Sequence, residues 1–135
     1  ISFNYEIDFK LDNEDKVSTW LLDVIRAENK ELGEINYVFC DDTYLHKLNV
    51  EYLNHYTLTD IISFDYSVGK VIQGDVFISI ERVMDNSKDF KTQFSEELNR
   101  VMVHGILHYC GYKDKTEEES LQMRNKENYY LNSLV

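Results

Sequence analysis

The alternation of strand-like and helix-like apolar patterns is the feature that most constrains the fold of this chain. Residues 2–10 place an apolar side chain at every second position, which predicts a half-buried strand. The next segment repeats its apolar residues every three or four positions, as an amphipathic helix does: Val17, Trp20, Leu21, Val24 and Ile25. Continued along the chain, these patterns predict the order β-α-β-α-β-β-α-α. This order is typical of an α/β (α+β) layered domain, in which helices cover a small mixed sheet of about four strands.

Local signals give the approximate boundaries of these elements. The sequence contains five glycines, no proline and no low-complexity segment, so we expect residues 1–135 to form a single domain. Further strands are predicted at residues 34–40, 61–66 and 75–80, with a turn at 67–70. The residues suited to begin the four helices are Asp12 or Asn13, Asp41 or Asp42, Ser95, and Thr116 with Glu119 as a capping box.

The composition indicates a cytoplasmic protein. No apolar stretch approaches the length of about 20 residues that a membrane-spanning helix needs, and no secretory leader is recognisable. Cys40 and Cys110 are too few for a disulfide scaffold, and we expect both thiols to be reduced.

The net charge of −11 is unusual for a protein that binds nucleic acid, because phosphate backbones are normally met by a basic surface. The acidic excess lies mostly in the first part of the chain, so a basic patch could form in the second part. Its basic residues are Arg82, Lys88, Lys91, Arg100, Lys113, Lys115, Arg124 and Lys126. A scattered, solvated arrangement of these residues is the alternative that we favour.

The segment from His104 to Asp114 carries the strongest functional signal. His104 and His108 are four residues apart on a predicted helix, so both imidazoles can reach one ion. Gly111 is suited to end that helix, after which Asp114 can return as a third ligand. The pattern H-x-x-x-H-x-x-G-x-x-D thus predicts a zincin-like metal helix. Three protein ligands leave a fourth position open, as in catalytic rather than structural zinc sites. The alternative is a solvated Asp114, with another group completing the site.

A metal-activated water can hydrolyse an ester or an amide. In zincin proteases the residue after the first histidine is a glutamate that takes the proton from this water. Here that residue is Gly105, which argues against peptide hydrolysis. The sequence shows no other obvious general base.

Three segments of the chain resemble one family. Residues 104–112 (HGILHYCGY) match the pattern H-G-x-L-H-x-x-G-Y, residues 59–64 (TDIISF) resemble T-D-V-L-S-F, and residues 74–79 (GDVFIS) resemble G-D-I-x-I-S. In this order they resemble the YbeY family of rRNA-processing endoribonucleases. The resemblance implies a metal-dependent endoribonuclease that cuts single-stranded RNA during ribosomal RNA maturation. It also implies one divalent transition metal ion, zinc by expectation, and the small ribosomal subunit or its proteins as partners.

The chain departs from the family pattern at two positions. Asp114 stands where the family has its third histidine, so the predicted ligand set is His₂Asp. A carboxylate is a harder ligand and widens the choice of metal beyond zinc. Leu53 follows Tyr52 where the family usually has an arginine suited to hold a phosphate.

Four other polar residues of these motifs are candidates for the site. Asp60, Ser63 and Asp75 are expected to line a cleft beside the metal or to orient a histidine; the alternative is that they cap strands and turns. Tyr112 is expected to pack over the turn or to stack on a base. His46 and His55 are expected to lie outside the site.

Two alternative functions remain at this stage: a non-catalytic ribosome-biogenesis binding protein with a structural metal, and a metalloprotease.

Overall fold

A computed structural model describes residues 1–53 and 59–134 of the chain. Their helices and strands follow in the order β1 (Ser2–Tyr5), α1 (Glu14–Ala27), β2 (Glu31–Cys40), α2 (Asp42–Leu53), β3 (Ile61–Asp65), β4 (Val71–Ser79), α3 (Ile80–Asp89), α4 (Phe94–Tyr109) and α5 (Glu117–Leu131). The four strands form one sheet in the order β1-β2-β4-β3. The pairs β1–β2 and β2–β4 are parallel, whereas β3 runs antiparallel to β4. The predicted α/β (α+β) architecture with a mixed four-stranded sheet is therefore confirmed.

The larger core lies between one face of the sheet and helices α1, α4 and α5. Strands β2 and β4 alternate, so every second side chain enters this core: Ile35, Tyr37, Phe39, Ile72, Val76 and Ile78. On the opposite face, helix α2 covers a smaller cluster formed by Cys40, Leu45 and Ile62. Two apolar layers thus enclose the sheet.

Helix α4 packs closely on the sheet. The hydroxyl of Tyr37 donates to the backbone carbonyl of Met102 at 2.8 Å, which joins β2 to α4 inside the core. Gly105 is buried, and a Cβ at this position would lie 3.4 Å from side-chain atoms of both Ile61 and Val76. The histidine-bearing part of α4 thus lies in van der Waals contact with β3 and β4.

The structure differs from the sequence-based prediction at several boundaries. Residues 80–89 form helix α3, whereas the sequence pattern predicted no helix there and assigned Ile80 to a strand. Only Val83 and Ser87 of this helix are buried, so it lacks the apolar stripe that would have revealed it. Strand β1 ends at Tyr5 rather than at residue 10.

The predicted helix starts also divide into two groups. The capping box of Thr116 and Glu119 is present, with both of its hydrogen bonds. Ser95, in contrast, lies within α4, whose N-cap is Gln93, and Asn13 caps α1 without a side-chain hydrogen bond. Among the described residues, no helix is long and apolar enough to cross a membrane.

Candidate metal centre

The turn that ends α4 brings the chain back toward its own last helical turn. Gly111 has a φ of 107°, in the left-handed region that favours glycine. Its N–H donates to the carbonyl of His108, and the N–H of Tyr112 donates to the carbonyl of Leu107, both at 3.0 Å. This pair of bonds is a Schellman motif, which satisfies the last carbonyls of the helix and reverses the chain. Asp114, three residues beyond the glycine, consequently lies beside the two histidines.

His104, His108 and Asp114 direct three donor atoms toward one point. The Nε2 atoms of the two histidines are 2.9 Å apart, and Oδ2 of Asp114 lies 3.4 Å from each of them. Ligand atoms at about 2.0–2.1 Å from a tetrahedral zinc ion are separated by about 3.4 Å. The three donors therefore have the chemistry and the spacing to hold a divalent ion, without needing a fourth protein ligand.

The other ring nitrogen of each histidine is held by a hydrogen bond. Nδ1 of His108 lies 2.9 Å from the backbone carbonyl oxygen of Tyr112, which can only accept. Nδ1 of His104 lies 2.7 Å from Oε2 of Glu127. Both bonds place a proton on Nδ1 and turn Nε2 toward the ion position, an arrangement that orients metal-binding histidines in general.

Glu127 is a residue of the site that the sequence reasoning missed. It belongs to α5, is only 5% exposed, and also accepts a hydrogen bond from Nη1 of Arg100 at 3.0 Å. The signal that could have revealed it is its position in α5 between the buried residues Met123 and Tyr130. A carboxylate on the buried stripe of a helix needs a partner, and here the partners are a histidine and an arginine.

The contact between Glu127 and His104 changes the protonation of both groups. Burial raises the pKa of Glu127, but the hydrogen bonds from His104 and Arg100 outweigh this effect and the pKa is lowered overall. Burial lowers the pKa of His104, but its hydrogen bond to Glu127 and the nearby carboxylates raise it overall. In the absence of an ion, the two groups thus stabilise each other as a charged pair.

The three donors open into a cleft of about 450 Å³ between α4, α5 and the start of β3. Its other polar lining residues are Thr59, Asp60, Ser63, Asn86, Glu97, Arg100, Arg124 and Glu127. Burial raises the pKa of Asp60, and burial likewise raises that of Glu97. The cleft is thus a polar chamber with the candidate metal ligands in its wall.

Comparison with known proteins identifies the family. A sequence model described as endoribonuclease YbeY matches residues 3–135. The chain belongs to the YbeY family. The YbeY endoribonuclease of Flavobacterium johnsoniae is 65% identical over 127 residues, which cover 94% of this chain and 91% of that protein. The YbeY endoribonuclease of Flavobacterium psychrophilum is 62% identical over 131 residues, covering 97% and 94% respectively.

A solved structure supports the fold. The solution structure of TM1509 from Thermotoga maritima superposes with a TM-score of 0.69 and covers 98% of this chain and 87% of that one. The two sequences are 20% identical, so this similarity concerns the fold alone.

The structure brings some of the predicted residues of this YbeY-family chain to the cleft and places others elsewhere. Asp60 and Ser63 line the cleft together with His104, His108 and Asp114. Asp75 is absent from the cleft lining, and its carboxylate accepts a hydrogen bond from Asn36 at 3.1 Å.

Tyr112 contributes its backbone rather than its ring to the metal site. Its carbonyl faces His108, whereas its hydroxyl donates to Glu28 at 2.7 Å and its ring lies 5.7 Å from Nζ of Lys126. Leu53, at the end of α2, is 40% exposed. His46 is also in α2 and does not line the cleft, while His55 lies outside the described residues.

The basic residues of the second part of the chain are dispersed. Arg100 and Arg124 line the cleft, but Arg82 pairs with Asp42 at 2.8 Å and Lys126 approaches Glu28 at 3.4 Å. This distribution favours the scattered arrangement over a continuous basic patch.

Proposed function

We propose that this YbeY-family chain is a metal-dependent endoribonuclease that cuts single-stranded RNA during ribosomal RNA maturation in the cytoplasm. Family membership makes the chain a nuclease whose substrate is RNA. The proposed cofactor is one divalent transition metal ion, with zinc as the first choice, held by His104, His108 and Asp114. The observation that carries the proposal is the set of three donor atoms, 2.9–3.4 Å apart, in the wall of an open cleft.

When bound in such a site, a divalent ion activates water and offsets negative charge on the phosphate under attack. The protein contributes the orientation of the ligands. The carboxylate of Glu127 and the carbonyl of Tyr112 hold protons on the Nδ1 atoms, so that both Nε2 atoms remain free to act as ligands. Asp114 adds a negative charge where the family usually has a neutral imidazole, which favours a harder metal than a His₃ site would.

The remaining lining residues define where RNA would lie. Asp60 and Ser63 belong to the wall formed by β3 and the residues before it, and we assign them to the substrate side of the cleft. The cleft also contains Glu97 and Glu127, so carboxylates outnumber the two arginines among its described lining residues. Because such a surface attracts phosphate weakly, we propose that the small ribosomal subunit or its proteins supply part of the affinity for RNA.

The structure gives a reason against the metalloprotease alternative. Gly105 occupies the position of the zincin glutamate, and it faces the packed layer formed with Ile61 and Val76. A carboxylate at this position would contact these two apolar side chains, which cannot pair with its charge.

Metal analysis of the purified, untagged chain tests the proposal. We expect about one equivalent of transition metal in the parent chain, and loss of metal and of RNA cleavage in His104→Ala. Asp114→Ala should weaken metal binding by at least about tenfold, since loss of a group that only hydrogen-bonds to a metal ligand already has an effect of this size. His46→Ala is the matched control, because it removes an imidazole outside the cleft.

Three outcomes would contradict parts of the proposal. Full metal content of Asp114→Ala after dialysis would exclude Asp114 as a ligand. A parent chain that fails to bind zinc, manganese, nickel or iron after reconstitution would exclude the metal site. A metal-loaded chain that cuts no single-stranded RNA would instead favour the ribosome-biogenesis binding protein.

A further inference from the structure

Two cations line the cleft among the described residues, and they differ in how fully their donors are used. Arg100 is 16% exposed, and its guanidinium donates to Oε1 of Glu127 at 3.0 Å and to Oδ1 of Asn128 at 2.8 Å. Its charge is offset by a buried carboxylate. Arg100 is therefore a structural partner of Glu127 rather than a group available to a ligand.

Arg124 is held much more loosely. Its side chain is 54% exposed, and its nearest carboxylate oxygen, Oε1 of Glu127, lies 3.7 Å from Nη1. That distance is beyond a hydrogen bond, and the same oxygen already accepts from Arg100. The guanidinium of Arg124 thus lines the cleft with donors that this carboxylate does not occupy.

Glu127 links Arg124 to the candidate metal ligands. Glu127 lies one helical turn from Arg124 on α5, and its second oxygen accepts from His104 at 2.7 Å. The guanidinium is therefore separated from a metal-binding imidazole by a single carboxylate. An RNA strand that presents a phosphodiester to the metal would pass within reach of this cation.

We infer that Arg124 is the phosphate-binding cation of the cleft and contacts the RNA backbone. A guanidinium offers paired N–H donors that match two phosphate oxygens, and it stays protonated and positively charged at neutral pH. The inference rests on the proposed endoribonuclease function, since it names the residue that holds the substrate.

The salt dependence of RNA binding tests this role. Binding of a single-stranded RNA oligonucleotide to the metal-free chain is measured in EDTA over a salt series, so that no turnover occurs. Loss of one phosphate contact should reduce the slope of log K against log salt by about 0.7 for a single strand. Arg124→Gln should show this reduction and bind about tenfold more weakly, equivalent to about 1.4 kcal/mol. Arg124→Lys should retain the slope, because it keeps the charge.

Three further measurements separate a phosphate contact from other effects. Arg26→Gln makes the same change at an exposed position of α1 outside the cleft, and it should leave the slope at the parent value. In the metal-loaded enzyme, Arg124→Gln should raise KM for RNA about tenfold with little change in kcat. Its metal affinity should equal that of the parent chain.

The possible failures are distinguishable. If the metal-loaded parent chain cuts no single-stranded RNA, the proposed function and the inference both fall. If it cuts RNA but the metal-free parent chain binds none over the whole salt series, only the inference is overturned. If the parent chain binds and cuts RNA but Arg124→Gln keeps the full slope, only the inference is overturned. If Arg124→Gln instead loses metal affinity, Arg124 acts through Glu127 and the assignment of a phosphate contact is wrong.

Discussion

Replacing Glu127 with glutamine tests how strongly the metal centre depends on a residue that does not itself bind the metal. The side chain is 6% exposed, and its two oxygens accept from Nδ1 of His104 and from Nη1 of Arg100. A glutamine has nearly the same shape but offers one acceptor oxygen and one NH₂ group. The NH₂ group then faces either Arg100, as one donor against another, or Nδ1 of His104, which can accept only if its proton moves to Nε2, the atom that would bind the metal.

The expected magnitude follows from those two contacts. A hydrogen bond to a charged group contributes about 1.5–3 kcal/mol, and Glu127→Gln removes one such bond and the charge behind the other. Arg100 retains its contact with Asn128, which limits the damage on that side. We therefore expect the metal-free variant to lose about 2 kcal/mol of unfolding free energy. Its metal dissociation constant should rise by about 10–100-fold, because His104 is no longer held in its ligating orientation.

Zinc titration against a chromophoric chelator and urea unfolding in EDTA measure the two effects separately. Glu97→Gln is the matched control, since Glu97 is a second buried carboxylate of the cleft whose charged neighbours are arginines and carboxylates rather than a histidine. It should leave the metal dissociation constant within about threefold of the parent value. Parent-like zinc affinity in Glu127→Gln would refute the reasoning, because the bond to His104 would then have no influence on the ligand.

Two further predictions concern the protonation of the metal-free site and the turn that forms it. The stability advantage of the metal-free parent over Glu127→Gln should be largest between about pH 4.5 and 6.5, the ordinary pKa values of Glu127 and His104. It should shrink as the pH rises through the raised pKa of His104 or falls through the lowered pKa of Glu127, as measured by urea unfolding in EDTA. An advantage that grew above pH 7 would contradict the charged pair. Gly111→Ala should cost about 1–2 kcal/mol of unfolding free energy, because its φ of 107° disfavours a Cβ, and it should also weaken zinc binding by displacing Asp114. Gly69→Ala is the control, because Gly69 has a φ of 60° in the turn between β3 and β4. It should lose a similar amount of unfolding free energy in urea but keep the zinc affinity of the parent chain. Equal zinc affinity in the two variants would show that the Gly111 turn does not position Asp114.

Several features of this protein are determined by local sequence. The spacing of His104 and His108, the glycine at residue 111 and the carboxylate at residue 114 lie within about three helical turns of one another. Their relative positions depend on helical periodicity and on one left-handed residue, both of which can be read from the sequence. The capping box at Thr116 and the alternation of the strands are local in the same sense, and the structure confirms both.

The surroundings of the metal centre depend instead on how distant elements pack. Glu127 is 23 residues from His104, and their contact exists because α5 lies against α4. Arg124 becomes a residue of the cleft for the same reason. Packing also removes candidates from the cleft. The motif positions of Asp75 and Tyr112 suggested a place there, but the side chain of Asp75 pairs with Asn36 and that of Tyr112 with Glu28.

Sequence by itself therefore determined the mixed sheet, the histidine helix and the three candidate ligands. Only the tertiary structure decided which side chains hold those ligands in place and which cation remains available beside them. The physical reason is the range of the interactions involved. Backbone periodicity and turn conformation act over a few residues, whereas a buried carboxylate finds its partners across helices whose mutual orientation depends on the packing of the whole core.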